Sequence, residues 1–255
     1  MRVRAIVSYD GTDYSGFQRQ LNAITVQEAL ETALAQVTQE AIAVVAAGRT
    51  DAGVHAVGQV IAFETNWQRG IVGLQKAINA VLPSDVAVRE LAEVEPDFHP
   101  RYDARSRHYR YTVRDAPVRS PIGRRYSLHL PYPVDSGVMQ EAAQLLVGEH
   151  DFATFGQPPQ GEVTRRHVLG AAWSRELCHG ASPGGTPNGP GLLVFDIEAN
   201  AFLYRMVRSI VGTLLEVGQG RMTMGEFDEA FASCERSRAG KTAEPHGLCL
   251  MRVDY

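Results

Sequence analysis

Lysine is almost missing from this chain: only Lys76 and Lys241 occur, and the other 23 of the 25 basic residues are arginine. Cysteine is nearly as scarce. Cys178, Cys234 and Cys249 are odd in number and far apart, with neither a C-x-x-C pair nor histidines at ligand spacing, which argues against a disulfide framework and a structural zinc. No stretch approaches the roughly 20 apolar residues that span a bilayer. The segment Met1–Val7 alternates like a strand and runs into a polar turn, unlike a signal peptide, so a cytoplasmic protein with no membrane partner is expected. H-E-x-x-H and G-x-G-x-x-G are also missing. Gly240-Lys241-Thr242 fails as a phosphate loop, because the first glycine that motif needs falls at Glu235.

What is present is arginine in one place. The net charge of −4 argues against nucleic acid as a partner, but the total conceals the distribution. Between His99 and Arg125 stand Arg101, Arg105, Arg107, Arg110, Arg114, Arg119, Arg124 and Arg125 against only Asp103 and Asp115. That is a local charge of +6, which leaves −10 for the rest. The planar guanidinium binds phosphate with two parallel hydrogen bonds and stacks on bases, so the segment suits a phosphate-binding stripe. A GC-rich genome accounts for arginine over lysine, and a solvated strand face tolerates both. Neither accounts for the clustering.

At 255 residues the chain is long enough for two ordinary domains. Period-two runs predict strands near 3–9, 42–47, 58–64 and 85–94. A helix follows Thr25-x-x-Glu28, read as a capping box, with Val26, Ala29, Leu30, Ala33, Leu34 and Val37 on one stripe, and another is expected near 70–81, before Pro83. Strands near 107–114, 125–130, 165–175, 191–199 and 247–253, with helices near 136–147, 201–216 and 224–234, repeat the theme. Two similar α/β halves, 1–104 and 105–255, are expected, with the Gly/Pro-rich Gly180–Gly191 as a loop at a hairpin tip.

Gly48-Arg49-Thr50-Asp51-Ala52-Gly53-Val54-His55 is the most informative run. It sets one carboxylate, Asp51, on a glycine-flanked turn after the apolar stretch 41–47, where a large substrate can approach closely. Read blandly, it is a loop with an Asx turn. In Arg105–Tyr111, strand alternation puts Arg107, Tyr109 and Tyr111 on one face and His108 and Arg110 on the other. Aromatics beside arginine suit an extruded base, and half-buried strand positions equally well. Arg208 borders the apolar stripe 203, 206, 207, 210, 211, 214, 215, where it either meets an anion such as Asp51 or snorkels to water. His150-Asp151 and Arg166-His167 lack companions at metal spacing, so no metal is expected.

These residues resemble one family, the tRNA pseudouridine synthases of the TruA type, nearly end to end. The likeness runs through Tyr9-Asp10-Gly11-Thr12-x-Tyr14-x-Gly16-Phe17-Gln18-x-Gln20, Gly48–His55 with Gly58-Gln59-Val60, Asn79-x-x-Leu82-Pro83, and Phe98-His99-x-Arg101. It continues in Gly148-x-His150-Asp151-Phe152, Asn200-x-Phe202, Met206-Val207-Arg208, and Gly240-Lys241 with Gly247-Leu248. Phe17 stands where tryptophan is usual, and Pro100 where alanine is. The resemblance implies an α+β pseudouridine synthase fold: two ferredoxin-like halves, a largely antiparallel mixed sheet and a central cleft. It implies a cofactor-free homodimer that isomerises uridine at positions 38–40 of the tRNA anticodon arm. By matching positions, Asp51 would be the nucleophile, Arg208 its ion-pair partner and Arg49 the residue that holds the base out. Tyr109 would pack against the target uracil, and Leu248 would also bind substrate; Arg101, Arg105, Arg107 and Arg110 of the arginine stripe are expected to bind the RNA. The rival classes are a non-catalytic RNA-binding module and a metal-dependent phosphohydrolase using His150-Asp151.

Overall fold

The computed structural model describes residues 1–158, 161–176 and 192–255; the loop expected over Gly180–Gly191 lies outside the described residues. The chain forms two compact units, Met1–Arg107 with Cys249–Tyr255, and His108–Leu248.

In the first unit β1 (Arg2–Tyr9) alternates strictly, burying Val3, Ala5, Val7 and Tyr9. It pairs antiparallel with β3 (His55–Glu64) on one side and β4 (Val86–Val94) on the other. Helix α1 (Val26–Thr38) begins where Thr25 Oγ1 accepts the Glu28 amide at 3.3 Å, and it buries Val26, Leu30, Ala33 and Leu34, the stripe its sequence period predicts. Helix α2 (Ile71–Val81) stops at Leu82, whose extended backbone the following proline favours. Asn79 of α2 clamps β4 with both ends of its amide, accepting the Val88 N–H at 2.8 Å and donating to the Val88 carbonyl at 2.7 Å.

The expected strand over 42–47 is only β2 (Val45–Ala46), paired with Ala62 and Ile61 of β3. Ile42 and Val44 are buried, yet no ladder reaches them, so an apolar run here fills core without making a strand. The order β1-α1-β2-β3-α2-β4 is the split ferredoxin-like arrangement. The last strand, β10 (Leu248–Asp254), joins this unit because Cys249 and Leu250 pair in parallel with His55 and Ala56 of β3.

The second unit has the strand order β5 (Ser106–Asp115), β9 (Leu192–Ala199), β8 (Arg165–Glu176), β7 (Gly148–Asp151). β7, β8 and β9 are antiparallel neighbours, and β6 (Leu128–Leu130) pairs in parallel with β5. β7 has no apolar residue, which is why its sequence gives no strand signal. Helix α3 (Ser136–Gln144) is capped by Asp135, which accepts the Gly137 and Val138 amides, and it ends three residues short of the expected 147. Helix α4 (Met206–Gly218) is buried on nearly every side. It starts at Met206, not 201, because Arg205 adopts φ +60° and leaves the right-handed helical region. Helix α5 (Met224–Ala232) opens with a capping box between Thr223 and Glu226. Phe152, Phe155, Phe227 and Phe231 stack between these elements as the core. The fold class is α+β, as the sequence indicates.

Asp115 ends β5 in the core and takes Arg175 on both oxygens, at 2.8 and 2.6 Å. Burial alone would raise this carboxyl; the Arg175 hydrogen bonds and charge outweigh it and hold the group below the ordinary carboxylate range. A depressed pKa stabilises the fold above the unfolded value of about 3.9 and loses that contribution as pH falls through the folded value. Asp115→Asn is therefore expected to lower the melting temperature at pH 7 while narrowing the drop between pH 7 and pH 3.5. The cost is about 2 kcal/mol, discounted because Arg175 is partly solvated. Thermal melts at the two pH values check this.

Candidate active site

The Gly48–His55 run is a loop between β2 and β3, and nearly every residue of it is tied down. The Gly48 carbonyl accepts from Gln59 Nε2 at 3.0 Å, and Gln59 is fully buried on β3. The Thr50 hydroxyl shares a 2.8 Å hydrogen bond with Tyr9, and the Thr50 carbonyl accepts the Phe17 amide at 3.1 Å. Gly53 donates to the Tyr14 carbonyl, and Val54 closes a turn on the Asp51 carbonyl. Two glycines allow this approach. A Cβ on Gly11 would stand 2.0 Å from the Val54 carbonyl oxygen, and one on Gly16 would stand 2.8 Å from that of Thr50, where φ of +98° already favours glycine.

The loop's end is fixed by His55, buried on β3, whose Nδ1 accepts the Gly11 amide at 3.0 Å with Asp10 Oδ1 3.1 Å away. Asp51 thus sits half-buried on a backbone that cannot readily shift, and Arg49 beside it is exposed. Tyr14 braces the same region by donating to Asp85 at 2.7 Å; burial, then the Asp85 contact, push its phenol upward.

The arginines expected to meet RNA divide. Arg107 donates to the Ala104, Ala47 and Arg101 carbonyls, at 3.2, 3.2 and 2.6 Å, and so pins the start of β5 to the residue before Gly48. Arg110 is held on both Asp196 oxygens at 3.0 Å and on Glu176 at 3.0 Å, with His108 on the same aspartate. These two have structural work. Arg101 lies at a turn where His99 Nδ1 accepts the Arg101 and Tyr102 amides, with its guanidinium 5.8 Å from the exposed Tyr102 ring.

In the second unit Tyr109 is buried edge-on against Phe202, with ring centres 5.1 Å apart. Arg208, in the first turn of α4, donates Nε to the Ala243 carbonyl at 2.8 Å, and Ala243 returns its amide to the Arg208 carbonyl. Gly212 lets the Lys241 backbone cross α4, since a Cβ there would lie 1.8 Å from the Lys241 carbonyl oxygen. The fully buried Tyr111 donates to the Glu244 carbonyl at 2.7 Å and lies against Gly247, next to the buried Leu248. Close packing thereby places the Lys241 backbone on α4 and Gly247 on Tyr111.

A family model described as tRNA pseudouridine synthase matches residues 5–103 and 142–255. The chain belongs to the tRNA pseudouridine synthases. Relatives named tRNA pseudouridine synthase A support this over the full length. That of Geotalea uraniireducens is 40% identical over 255 residues, covering 100% of this chain and 99% of its own. That of Brevibacillus brevis is 42% identical over 261 residues with the same coverage, and that of a Geobacillus strain is 42% identical over 255 residues, covering 100% and 98%. Membership makes the protein an isomerase acting on uridine in tRNA. The matched stretches hold Arg49, Asp51, Arg101, Arg208 and Leu248, whereas Tyr109, Arg105, Arg107 and Arg110 fall between them.

The rival using His150-Asp151 has little to stand on. His150 bonds the Val147 carbonyl, and Asp151 accepts the Ala153 amide at a turn. Among the described residues no group of three or more His, Cys, Asp or Glu is placed to hold a metal, and no helix is long and apolar enough to cross a membrane. Tyr9, Gly11, Gly16 and Gln59 stand in the sequence only as motif letters, yet they hold the loop. The signal available was two glycines within six residues after a strand.

Proposed function

We propose that the protein isomerises uridine to pseudouridine at positions 38–40 of the tRNA anticodon arm, as a homodimer without metal or cofactor. Asp51 is the catalytic carboxylate, Arg208 its cationic counterpart, and Arg49 the side chain that holds the flipped base out. Tyr109 and Leu248 pack against the uracil.

The observation that carries the reading is the fixing of the Gly48–His55 backbone by Gln59, Tyr9, Phe17 and Tyr14 around a carboxylate left half-buried. A group that must meet one carbon of a large substrate gains most from such preorganisation. In the reaction the C1′–N1 bond breaks and C1′ acquires oxocarbenium character, which a carboxylate stabilises or traps, as in glycoside hydrolysis. The uracil turns, C5 bonds to C1′, the C5 proton is lost to solvent and N1 takes one up. The leaving uracil is a resonance-stabilised anion, so one carboxylate suffices, and unstacking the target costs a few kcal/mol that aromatic and arginine contacts offset.

The test uses tRNA carrying 5-tritiated uridine at position 38, 39 or 40 alone. Tritium release to water is expected from these substrates, unchanged by EDTA. Release confined to uridines outside the anticodon arm would overturn the positional assignment.

A further inference from the structure

The arginines clustered in sequence over 101–125 draw attention to the RNA surface, but Arg107 and Arg110 are committed to internal partners. Two other guanidiniums in the second unit, Arg205 and Arg236, meet no carboxylate among the described residues. Arg236 lies just beyond α5. Its Nη1 donates to the Thr154 carbonyl and to Ser209 Oγ, and its Nη2 to Thr242 Oγ1 at 3.1 Å. All three acceptors are neutral. They orient the group without cancelling its charge, and among the described residues its Nε–H and second Nη2–H meet no acceptor.

Arg205 stands one helical turn before Ser209, whose amide donates to the Arg205 carbonyl at 3.0 Å. Its guanidinium lies 4.9 Å from the centre of the exposed Tyr204 ring and, among the described residues, has neither a hydrogen-bond acceptor nor a carboxylate partner. Partial desolvation and the Arg205 charge both push Arg236 toward losing its proton, the direction expected for like charges held together. The first turn of α4 has no acidic residue to relieve them.

Arg205 also occupies a backbone conformation, φ +60°, that glycine takes without strain and arginine takes at a cost. Folding alone gives no reason for arginine there. A strained, exposed cation folded over an aromatic ring, paired with a second cation braced by neutral oxygens, is what an incoming anion with a stacking group beside it would use.

We infer that Arg205 and Arg236 form a backbone-phosphate subsite for tRNA, with Tyr204 as a face for the adjoining sugar or base. This rests on tRNA being the substrate and goes beyond it by naming the residues that hold the strand in the second unit.

The test is the dependence of tRNA affinity on salt between 50 and 200 mM. Arg205→Gly, which relieves the backbone, and Arg236→Gln are each expected to flatten the slope of log K against log salt by about 0.7 to 0.9, one phosphate contact. Arg236→Lys should keep most of the slope. Arg238→Gln, which removes a neighbouring arginine paired with Glu229, should leave it unchanged. Unchanged slopes in both Arg205→Gly and Arg236→Gln, or an equal loss in Arg238→Gln, overturn the subsite. Tritium release by the unaltered protein separates the two failures: binding without release overturns the isomerase reading, while release with unaltered slopes overturns only the phosphate subsite.

Discussion

Asp51→Asn is expected to reduce tritium release from 5-tritiated tRNA by about 10⁴-fold or more, on the order of 5.5 kcal/mol of transition-state stabilisation. The substitution keeps the shape of the side chain and removes its charge. The hydrogen bonds that hold the loop come from Gln59, Tyr9, Phe17 and Tyr14 and engage Gly48, Thr50 and Gly53, so the backbone stays where it is. Affinity for tRNA is expected to stay within tenfold, or about 1.4 kcal/mol, because an exchange of carboxylate for amide does not repel phosphate. Binding retained and release lost is the signature of a group that acts on the reacting atoms. Turnover retained would sink the mechanism, whatever became of binding.

Gly11→Ala is the second large effect, and it reaches the same carboxylate without touching substrate. The added methyl carbon would stand 2.0 Å from the Val54 carbonyl oxygen and 2.7 Å from its carbon, both backbone atoms that cannot rotate away. Either the loop moves or the Asp10–Gly11 turn does, and the turn is itself held by the Gly11 amide on His55. Overpacking of this kind costs about 1 to 3 kcal/mol, or a few degrees of melting temperature per kcal/mol in a chain of this size. Displacing a catalytic group by about 1 Å costs on the order of 10²-fold in rate. The expected result is a protein that melts several degrees earlier and turns over about a hundredfold more slowly. An alanine variant with wild-type kcat would show that the loop tolerates displacement.

The regular elements were legible because their signals are local. The stripe of α1, its Thr25 cap, the alternation of β1 and the stop at Leu82 before Pro83 can each be read from a dozen residues. What failed was whatever depended on distant partners. Ile42 and Val44 are apolar because they are buried, not because a neighbouring strand accepts them. Helix α4 lost its expected first turn to the single backbone angle of Arg205. β7, Gly-Glu-His-Asp, is a strand only because β8 lies beside it.

The same division holds at the candidate site. Asp51 was identifiable from its own octapeptide, whereas the side chains that fix it come from β1, β3 and the turn after β1. Within the arginine stripe, no local pattern shows that Arg110 will find Asp196 on β9, or that Arg107 will be used by three carbonyls.

The return of β10 to the first unit ties β3 to a strand that follows it far along the chain. His55 and Ala56 obtain their parallel neighbours only from Cys249 and Leu250. On the ribosome the segment that bears Asp51 must therefore wait for Leu250 to emerge before its supporting ladder is finished. Any product cut short before Cys249 would leave that edge bare, so the ladder beside the Asp51 loop is withheld until Leu250 has been made.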